Sequence, residues 1–270
     1  MERPEQAFAL GRAAADAGYR LEAQGEVSST NDVALARARE GGASLLWVVA
    51  QRQTRGRGRH GRSWTSPSGN LYASLILIDP CDIATAPELG FIAGLALFDA
   101  VEALTGLGHP RLSLKWPNDL LVDGRKCAGI LLEGHRLRDG AFALIIGIGV
   151  NIAAAPSDPP NAARLEVYAP SATAGPFFAL LSDAVADRFS EFAAAPLSQA
   201  HFAAWAERAH GIGSRVRVRL PGGDMVGLFR GLEQGRLLLD TADGRRRLDA
   251  GDLYVLDNAE ASPTHVMGHR

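Results

Sequence analysis

The sequence predicts a protein that mixes α-helices with β-strands and ends in a small all-β module. Helical and strand patterns alternate up to about Asn151, and helical patterns dominate from there to His210. Short strand runs separated by glycine turns then fill Gly213–Leu256. No internal repeat is visible in the 270 residues. These patterns predict one larger mixed domain followed by a smaller one.

Helix signals occur both before Asn151 and between Asn151 and His210. The Ser-x-x-Asp start at Ser29–Asp32 predicts a helix that runs to the glycines at positions 41 and 42. Pro87 can open a second helix through Leu104. Its apolar run is short and contains Asp99 and Glu102, so it indicates a buried helix rather than a membrane span. Two further helical patterns cover Phe177–Ala193 and Ser198–His210.

Strand signals fill much of the remaining chain. Apolar or alternating runs predict strands at Leu45–Ala50, Asn70–Ile78, Leu112–Trp116, Leu120–Val122, Ala128–Glu133 and Phe142–Ile152. Asp123-Gly124 is a hairpin turn signal between two of these runs. In the last zone Val216, Val218 and Leu220 alternate with arginines. Regularly spaced turns follow, so this zone is expected to form a small meander or barrel.

The composition is that of a soluble globular protein. Hydrophobic residues make up 47% and charged residues 21% of the chain. The formal net charge of −2 provides no global field for nucleic acid or an anionic membrane. Cys81 and Cys127 have no metal-ligand spacing, and two isolated thiols suit a reducing compartment. The N-terminus carries Glu2 and Glu5 rather than a secretory signal, so we expect a cytoplasmic protein.

A glycine–arginine segment, GRGRHGRSW at 56–64, is the most informative part of the sequence. It lies between two expected strands, and its glycines allow the backbone to approach a ligand closely. Arg57, Arg59 and Arg62 add bidentate donors for carboxylate and phosphate oxygens, and Trp64 can cover a flat group. By itself the segment also fits a solvated flexible loop. It also fits an RNA-binding stretch, although the balanced charge supplies no further basic patches.

Three downstream segments change the interpretation when they are taken together. KWPND at 115–119, DGRKCAGILLE at 123–133 and GIGVN at 147–151 each have an ordinary structural explanation. Lys115 suits an exposed strand end, Asn118-Asp119 a turn after proline, and Lys126 a hairpin. Gly147 and Gly149 suit closely packed strands. Their joint occurrence in this order, behind the glycine–arginine loop, indicates a shared site.

The combination of motifs resembles the catalytic domain of biotin protein ligases. The matching segments, which span roughly Val27 to Asn151, are SSTN at 28–31, QTRGRGRHGRSW at 53–64, SGNLYASL at 68–75, KWPNDL at 115–120, GRKCAGILLE at 124–133 and GIGVN at 147–151. The resemblance implies an α+β fold of the class II synthetase type, with a mixed, mainly antiparallel sheet, packed helices and an SH3-like C-terminal barrel. We therefore expect a catalytic domain at 1–210, the SH3-like domain at 211–257 and a flexible tail at 258–270.

The resemblance also implies a reaction in two steps. The carboxylate of biotin attacks the α-phosphate of ATP, giving biotinyl-5′-AMP and pyrophosphate. A lysine of a biotin carboxyl carrier protein, of acetyl-CoA carboxylase or a related carboxylase, then takes the biotinyl group as an amide. Magnesium is expected to accompany ATP, and its protein ligands are left unassigned.

The resemblance assigns roles residue by residue. Ser29, Thr30, Asn31 and Gln53 would bind the biotin ureido ring, and Arg57–Arg59 would line the same pocket. Lys126 would lie near the carboxylate and phosphate, Trp64 on the nucleotide, and Asn118 and Asp119 near the phosphates and the incoming lysine. The expected catalytic residues are Lys115, Asp119, Lys126 and Arg59. The expected substrate-binding residues are Ser29, Thr30, Asn31, Gln53, Gly56, Arg57, Gly58, Arg59, Arg62, Trp64, Asn118, Lys126, Gly129 and Asn151.

Asp119 is our hypothesis for the base of the second step, because a lysine of pKa near 10.4 must lose a proton before it attacks. His60 departs from the family pattern at a position where many relatives have a further basic residue. A tolerated change is expected, since three arginines remain. Only 27 residues precede Ser28 and show no clear helix-turn-helix. The expectation is therefore a ligase without a DNA-binding domain.

Three other functions stay open at this point. A lipoate or octanoate ligase or transferase shares the fold and also modifies a carrier lysine, although KWPND and RKCAGIL favour biotin. A nucleic-acid-binding protein would use the arginines at 55–62, and a silent biotin-binding module would need no lysines in its site. The partners we expect are biotin, ATP and the carrier protein, with no nucleic acid and no membrane. The sequence leaves the oligomeric state open, a homodimer included.

Overall fold

The computed structural model describes residues 7–41, 44–156, 162–194 and 199–256. Its helices are α1 (Arg12–Asp16), α2 (Thr30–Arg39), α3 (Leu89–Thr105), α4 (Ala174–Ala194) and α5 (Gln199–Glu207). Its strands are β1 (Arg20–Val27), β2 (Leu46–Gln53), β3 (Leu71–Ile78), β4 (Leu112–Lys115), β5 (Asp119–Val122), β6 (Arg125–Arg136), β7 (Phe142–Val150), β8 (Arg215–Leu220), β9 (Gly223–Glu233), β10 (Arg236–Thr241), β11 (Gly244–Leu248) and β12 (Asp252–Val255).

The strands form two sheets. A seven-stranded sheet has the order β1-β2-β3-β7-β6-β5-β4, and a five-stranded sheet has the order β11-β10-β9-β8-β12. Only the β1–β2 pair is parallel among these described pairings. The predicted fold class, a mainly antiparallel sheet with packed helices and a C-terminal β domain, is therefore confirmed.

The main core lies between one face of the seven-stranded sheet and helices α3 and α4. Most residues of α3 are buried, which explains its continuous apolar run. Phe178 of α4 packs edge-on against Trp47 of β2, with ring centroids 5.5 Å apart. Helix α5 adds Phe202 and Trp205, both in edge contact with Phe91 of α3.

Helix α2 covers part of the opposite face. Ala34 and Ala38 pack there on Val48, Ile76 and Ile145 in a second, small core. Since α2 has only 10 residues, it leaves the rest of that face uncovered. This uncovered face of the sheet, beside the N-terminus of α2, positions the candidate site.

The structure corrects several predicted elements. The strand β1 and the helix α1 were not predicted, because β1 is a half-exposed edge strand without clean alternation. The helix predicted to end at His210 ends at Glu207 instead. Residues 208–210 extend along β4, where Leu114 N donates to Arg208 O and His210 N donates to Leu114 O, both at 2.8 Å. The predicted tail at 258–270 lies outside the described residues.

Candidate active site

Glycines form the floor of the site on the uncovered face of the sheet. Gly149 of β7 pairs with Tyr72 of β3 on one side and with Gly129 of β6 on the other. Asp119 of β5 is the next residue in this row, opposite Gly129. Because neighbouring residues of a row point to the same face, Tyr72 and Asp119 frame a strip of bare backbone. The missing side chains leave room for the flat ring of Trp64 to pack directly on this part of the sheet.

The cleft above this floor has a volume of about 980 Å³. It is bounded by the start of α2, the glycine–arginine loop, the turn between β4 and β5, and strand β12. Gly56 is the predicted site residue that does not line it, because a Cβ there would meet Ser66 Oγ and Trp64 O at 2.6 Å, behind the loop. The predicted residues that line it are Ser29, Thr30, Asn31, Gln53, Arg57, Gly58, Arg59, Arg62, Trp64, Lys115, Asn118, Asp119, Lys126, Gly129 and Asn151.

One end of the cleft is neutral and polar. The hydroxyl of Ser74 lies 2.7 Å from Thr30 Oγ1 and 2.6 Å from Asn31 Oδ1. Thr30 N donates to Gln53 Oε1 at 2.8 Å, so Gln53 satisfies an N–H of the first turn of α2. Ser29, the predicted cap, makes no capping hydrogen bond with its side chain. These buried groups hold one another in fixed positions, which suits recognition of an uncharged polar ring.

Gly147 leaves the space that the Asn31 side chain occupies at this end of the cleft. A Cβ at Gly147 would overlap Asn31 Oδ1. Ser74 donates to this oxygen, and Asn31 Nδ2 donates to Glu133, so the amide is held at both ends. We expect Gly147→Ala to lower the free energy of unfolding by about 1–3 kcal/mol, because the packed Asn31 cannot move without losing hydrogen bonds. Urea unfolding measures this. Gly25→Ala on β1, where nothing lies within 4 Å, is the control. Equal stability of the two variants would contradict the expectation.

The glycine–arginine loop folds back on itself as a short hairpin. Gly58 N donates to Arg62 O at 2.7 Å and Trp64 N donates to Gly56 O at 2.9 Å. His60 lies in the turn with a φ of 57°, a left-handed conformation that histidine adopts more readily than most residues. These bonds give the loop a hairpin form, and Arg57, Arg59 and Arg62 line the cleft. The predicted tolerance of His60 stays a prediction.

Trp64 lies against the floor of the cleft. A Cβ at Gly149 would meet Trp64 Nε1 at 2.7 Å, and one at Gly129 would meet its Cζ3 at 3.3 Å. Lys126 Nζ lies 5.4 Å from the centre of the same ring. The buried indole Nε1 has no hydrogen-bond partner among the described residues. Trp64 is thus a flat, apolar wall next to the cations of the cleft.

Cations gather at the other end of the cleft. Lys126 Nζ lies 2.6 Å from Asp119 Oδ1 and forms an ion pair with it. Lys115 Nζ lies 4.9 Å from the centre of the Tyr254 ring. Burial lowers the pKa of the Lys115 ammonium below its ordinary value, and Asp119 partly offsets this. Lys115 and Lys126 are the two lysines of the sequence, and both lie in this cleft.

Asn118 holds the turn between β4 and β5 in place. Its Nδ2 donates to Ile130 O at 2.7 Å, and Ile130 N donates back to Asn118 O at 2.9 Å. Its Oδ1 accepts a hydrogen bond of 3.1 Å from Arg59 Nη1. Asn118 therefore positions Arg59 over the cleft while fixing the neighbouring Asp119 to β6.

Residues that no sequence motif predicted reach the cleft from the C-terminal sheet and from the segment before it. Arg62 Nη2 donates to Asp252 Oδ2 at 2.5 Å, and Arg59 Nη1 lies 3.8 Å from Asp252 Oδ1. Burial opposes ionisation of Asp252, but the Arg62 hydrogen bond and the two guanidinium charges outweigh it and lower its pKa. Tyr254 and His210 also line the cleft. No local motif marks these three residues, because strand packing brings them to the cleft from a distant part of the sequence.

Neither a metal-ligand cluster nor a membrane-spanning helix occurs among the described residues. Within residues 7–41, 44–156, 162–194 and 199–256, no group of three or more His, Cys, Asp or Glu side chains is placed to hold a metal ion. No helix in this part of the chain has the length and apolar character needed to cross a membrane. Cys81 and Cys127 are both free, and burial raises the pKa of the Cys127 thiol to about 12.

Comparisons with known proteins place this geometry in a family. The model of the Biotin/lipoate A/B protein ligase family matches residues 25–151, and that of the Biotin protein ligase C terminal domain matches 211–256. The biotin--[acetyl-CoA-carboxylase] ligase of Paracoccus denitrificans is 35% identical over 237 residues, covering 84% of this chain and 96% of that protein. The chain belongs to the biotin protein ligase family.

Other biotin protein ligases agree in sequence and structure. The biotin--[acetyl-CoA-carboxylase] ligase of Mycobacterium tuberculosis is 35% identical over 254 residues, which are 90% of this chain and 91% of that protein. The Aquifex aeolicus biotin protein ligase in complex with biotin and ATP has a TM-score of 0.74 at 26% identity, covering 88% and 98% of the two chains. The Leishmania major ligase in complex with biotinyl-5-AMP has a TM-score of 0.61 at 29% identity, covering 86% and 99%.

Proposed function

We propose that this protein activates biotin with ATP and transfers it to a lysine of a biotin carboxyl carrier protein. The observation that carries the proposal is that the two ends of the cleft described above differ in charge. Its α2 end offers neutral hydrogen-bonding side chains beside Arg57, whose charge is paired with Asp32 and Glu133. Its other end offers Lys126, Lys115, Arg59 and Arg62. A neutral ring with an acidic tail would bind across the two ends, with its carboxylate among the cations.

The first step joins two anions. The biotin carboxylate oxygen attacks the α-phosphorus of ATP, and the bond from this phosphorus to the pyrophosphate oxygen breaks. Lys126, Arg59 and Arg62 would offset the negative charge that develops there. Trp64 would cover the flat base of the nucleotide from the floor of the cleft. Magnesium would enter with the phosphates, and its ligands on the protein are unassigned.

The second step needs a base. The amine of the carrier lysine attacks the acyl carbon of biotinyl-5′-AMP, AMP leaves, and the amine loses a proton. Asp119 is the carboxylate we assign to this proton, because it lies in the floor row beside Gly129 and next to Lys126. Once Lys126 engages the phosphate, Asp119 is released from its ion pair. A closed loop would meanwhile keep water from the mixed anhydride.

The wider setting belongs to the same proposal. Relatives with 35% identity are named as acetyl-CoA-carboxylase ligases, which supports a carboxylase carrier as the partner. Two free thiols support a reducing compartment, which we take to be the cytoplasm. The proposal includes no nucleic acid and no membrane as partners, and a homodimer is compatible with it.

The test combines two products in one reaction. Purified protein is incubated with labelled ATP, a biotin carboxyl carrier domain, and biotin, lipoate or octanoate in parallel. We expect pyrophosphate release and one biotinyl group on the carrier, with biotin alone among the three acids. Biotin should also raise the thermal midpoint while lipoate does not. Activity with lipoate or octanoate and none with biotin would overturn the proposal in favour of a lipoate-type ligase.

A further inference from the structure

Arg57, although it lines the cleft, is committed to two carboxylates. Its Nη1 and Nη2 donate to Asp32 Oδ2 and Oδ1 at 3.0 and 2.7 Å. Its Nη2 also donates to Glu133 Oε2 at 3.4 Å. The pKa of Arg57 is raised, chiefly by the hydrogen bond to Asp32, and that of Asp32 is lowered by the same bond. Both Nη atoms of Arg57 are therefore occupied by carboxylates of the protein itself.

Glu133 serves a second residue with the same oxygen. Asn31 Nδ2 donates to Glu133 Oε2 at 2.7 Å. An amide that donates through its nitrogen must present its oxygen elsewhere, and Asn31 Oδ1 faces the Ser74 hydroxyl at 2.6 Å. Glu133 therefore fixes which way the Asn31 amide points at the neutral end of the cleft.

These contacts form one continuous network. From Asn31 it continues through Ser74 and Thr30 to Gln53, whose Nε2 donates to Ser66 Oγ at 3.0 Å. Ser66 Oγ in turn donates to Trp64 O at 2.9 Å. Arg57 and Trp64 are the two sides of the loop hairpin, joined across it by the bridge between Arg57 and Ser63. Both sides of the loop are thus tied to the first turn of α2.

We propose that Asp32 and Glu133 are positioning residues that anchor the glycine–arginine loop through Arg57, and that Glu133 also orients Asn31 for the ligand. Arg57 is then an anchor rather than an anion-binding residue. The inference rests on the proposed function for the identity of the ligand, biotin. The anchoring of the loop is a property of the ligand-free protein and is measured without it.

The test uses Asp32→Asn and Glu133→Gln, with Glu22→Gln as the matched control. Glu22 accepts two hydrogen bonds of 2.8 Å from Arg37, also on α2, and lies outside the residues that line the cleft. Amide hydrogen exchange over residues 54–66 reports on the loop, and the biotin KM and kcat report on the site. Asp32 has a side chain that is 41% exposed, so its variant is expected to fold even if Glu133→Gln does not.

We expect exchange in the loop to be about tenfold faster in both variants and unchanged in the control, since each loses a charge-assisted bond. The KM for biotin should rise about tenfold in Glu133→Gln, with kcat changed by less than about twofold, because the groups that touch the reacting atoms remain. If amide exchange in the loop is as slow in both variants as in the wild type, Asp32 and Glu133 do not anchor the loop. If exchange in the loop is faster but the KM for biotin is unchanged, Glu133 does not orient Asn31 for biotin. An inactive wild-type protein would refute the proposed function instead, and the exchange result would still stand.

Discussion

Replacing Lys126 with glutamine is expected to lower biotin-dependent pyrophosphate release by about a hundred- to a thousandfold. Lys126 Nζ lies in the cleft, 2.6 Å from Asp119 Oδ1 and 5.4 Å from the centre of the Trp64 ring. Bringing a carboxylate to a triphosphate places several negative charges in a partly desolvated cleft. A fixed ammonium there is worth far more than it would be in water.

The control for this prediction is the neighbouring Arg125→Gln. Arg125 Nη2 donates to Tyr168 OH at 2.8 Å and does not line the cleft. Removing its charge should leave pyrophosphate release within about twofold of the wild type, in line with the small effect of most surface substitutions. The thermal midpoint of Lys126→Gln must also be measured, because Asp119 loses its partner. A folded Lys126→Gln protein with release near the wild-type rate would remove Lys126 from the first step.

Asp119→Asn is expected to form biotinyl-5′-AMP and to transfer it slowly, with the single-turnover transfer rate reduced by about 10²–10⁴. Asparagine keeps the shape and the place of Asp119 in the β5–β6 pairing. It removes the acceptor for the proton of the carrier lysine. The slow transfer should become faster as pH rises toward the ordinary lysine pKa of about 10.4, because the amine then loses its proton to water.

The same substitution at Asp123 provides the control. Asp123 lies on the β5–β6 turn and accepts hydrogen bonds from Arg111 and Tyr168. These partners lower its pKa to about 2. It does not line the cleft, so Asp123→Asn should transfer biotin normally. If Asp119→Asn forms the adenylate and transfers it at the wild-type rate, the base lies elsewhere. His210, which lines the cleft near Lys115, would then be the next residue to test.

Much of the site could be predicted from short segments of sequence. The loop at 56–64, KWPND at 115–119 and the glycines at 147 and 149 are each local patterns. Their chemistry follows from residue type, because arginines bind anions and glycines leave the backbone exposed. Strand pairing then brings them together as expected, with Gly149 beside Gly129 and Asp119. The roles of these residues in the reaction stay predictions until the variants are measured.

The sequence by itself determined the fold class, the motif residues that line the cleft and the membership that those motifs imply, because these depend on periodicity and on spacing over short stretches. Only the tertiary structure decided what those residues contact. Asp252 meets Arg62, and Glu133 and Asp32 hold Arg57, through the packing of two sheets and the register of β6 against β7. In the sequence, Arg57 and Arg59 are two arginines of one loop with the same charge. Their partners differ because long-range contacts depend on how elements pack, and a one-dimensional pattern does not record that.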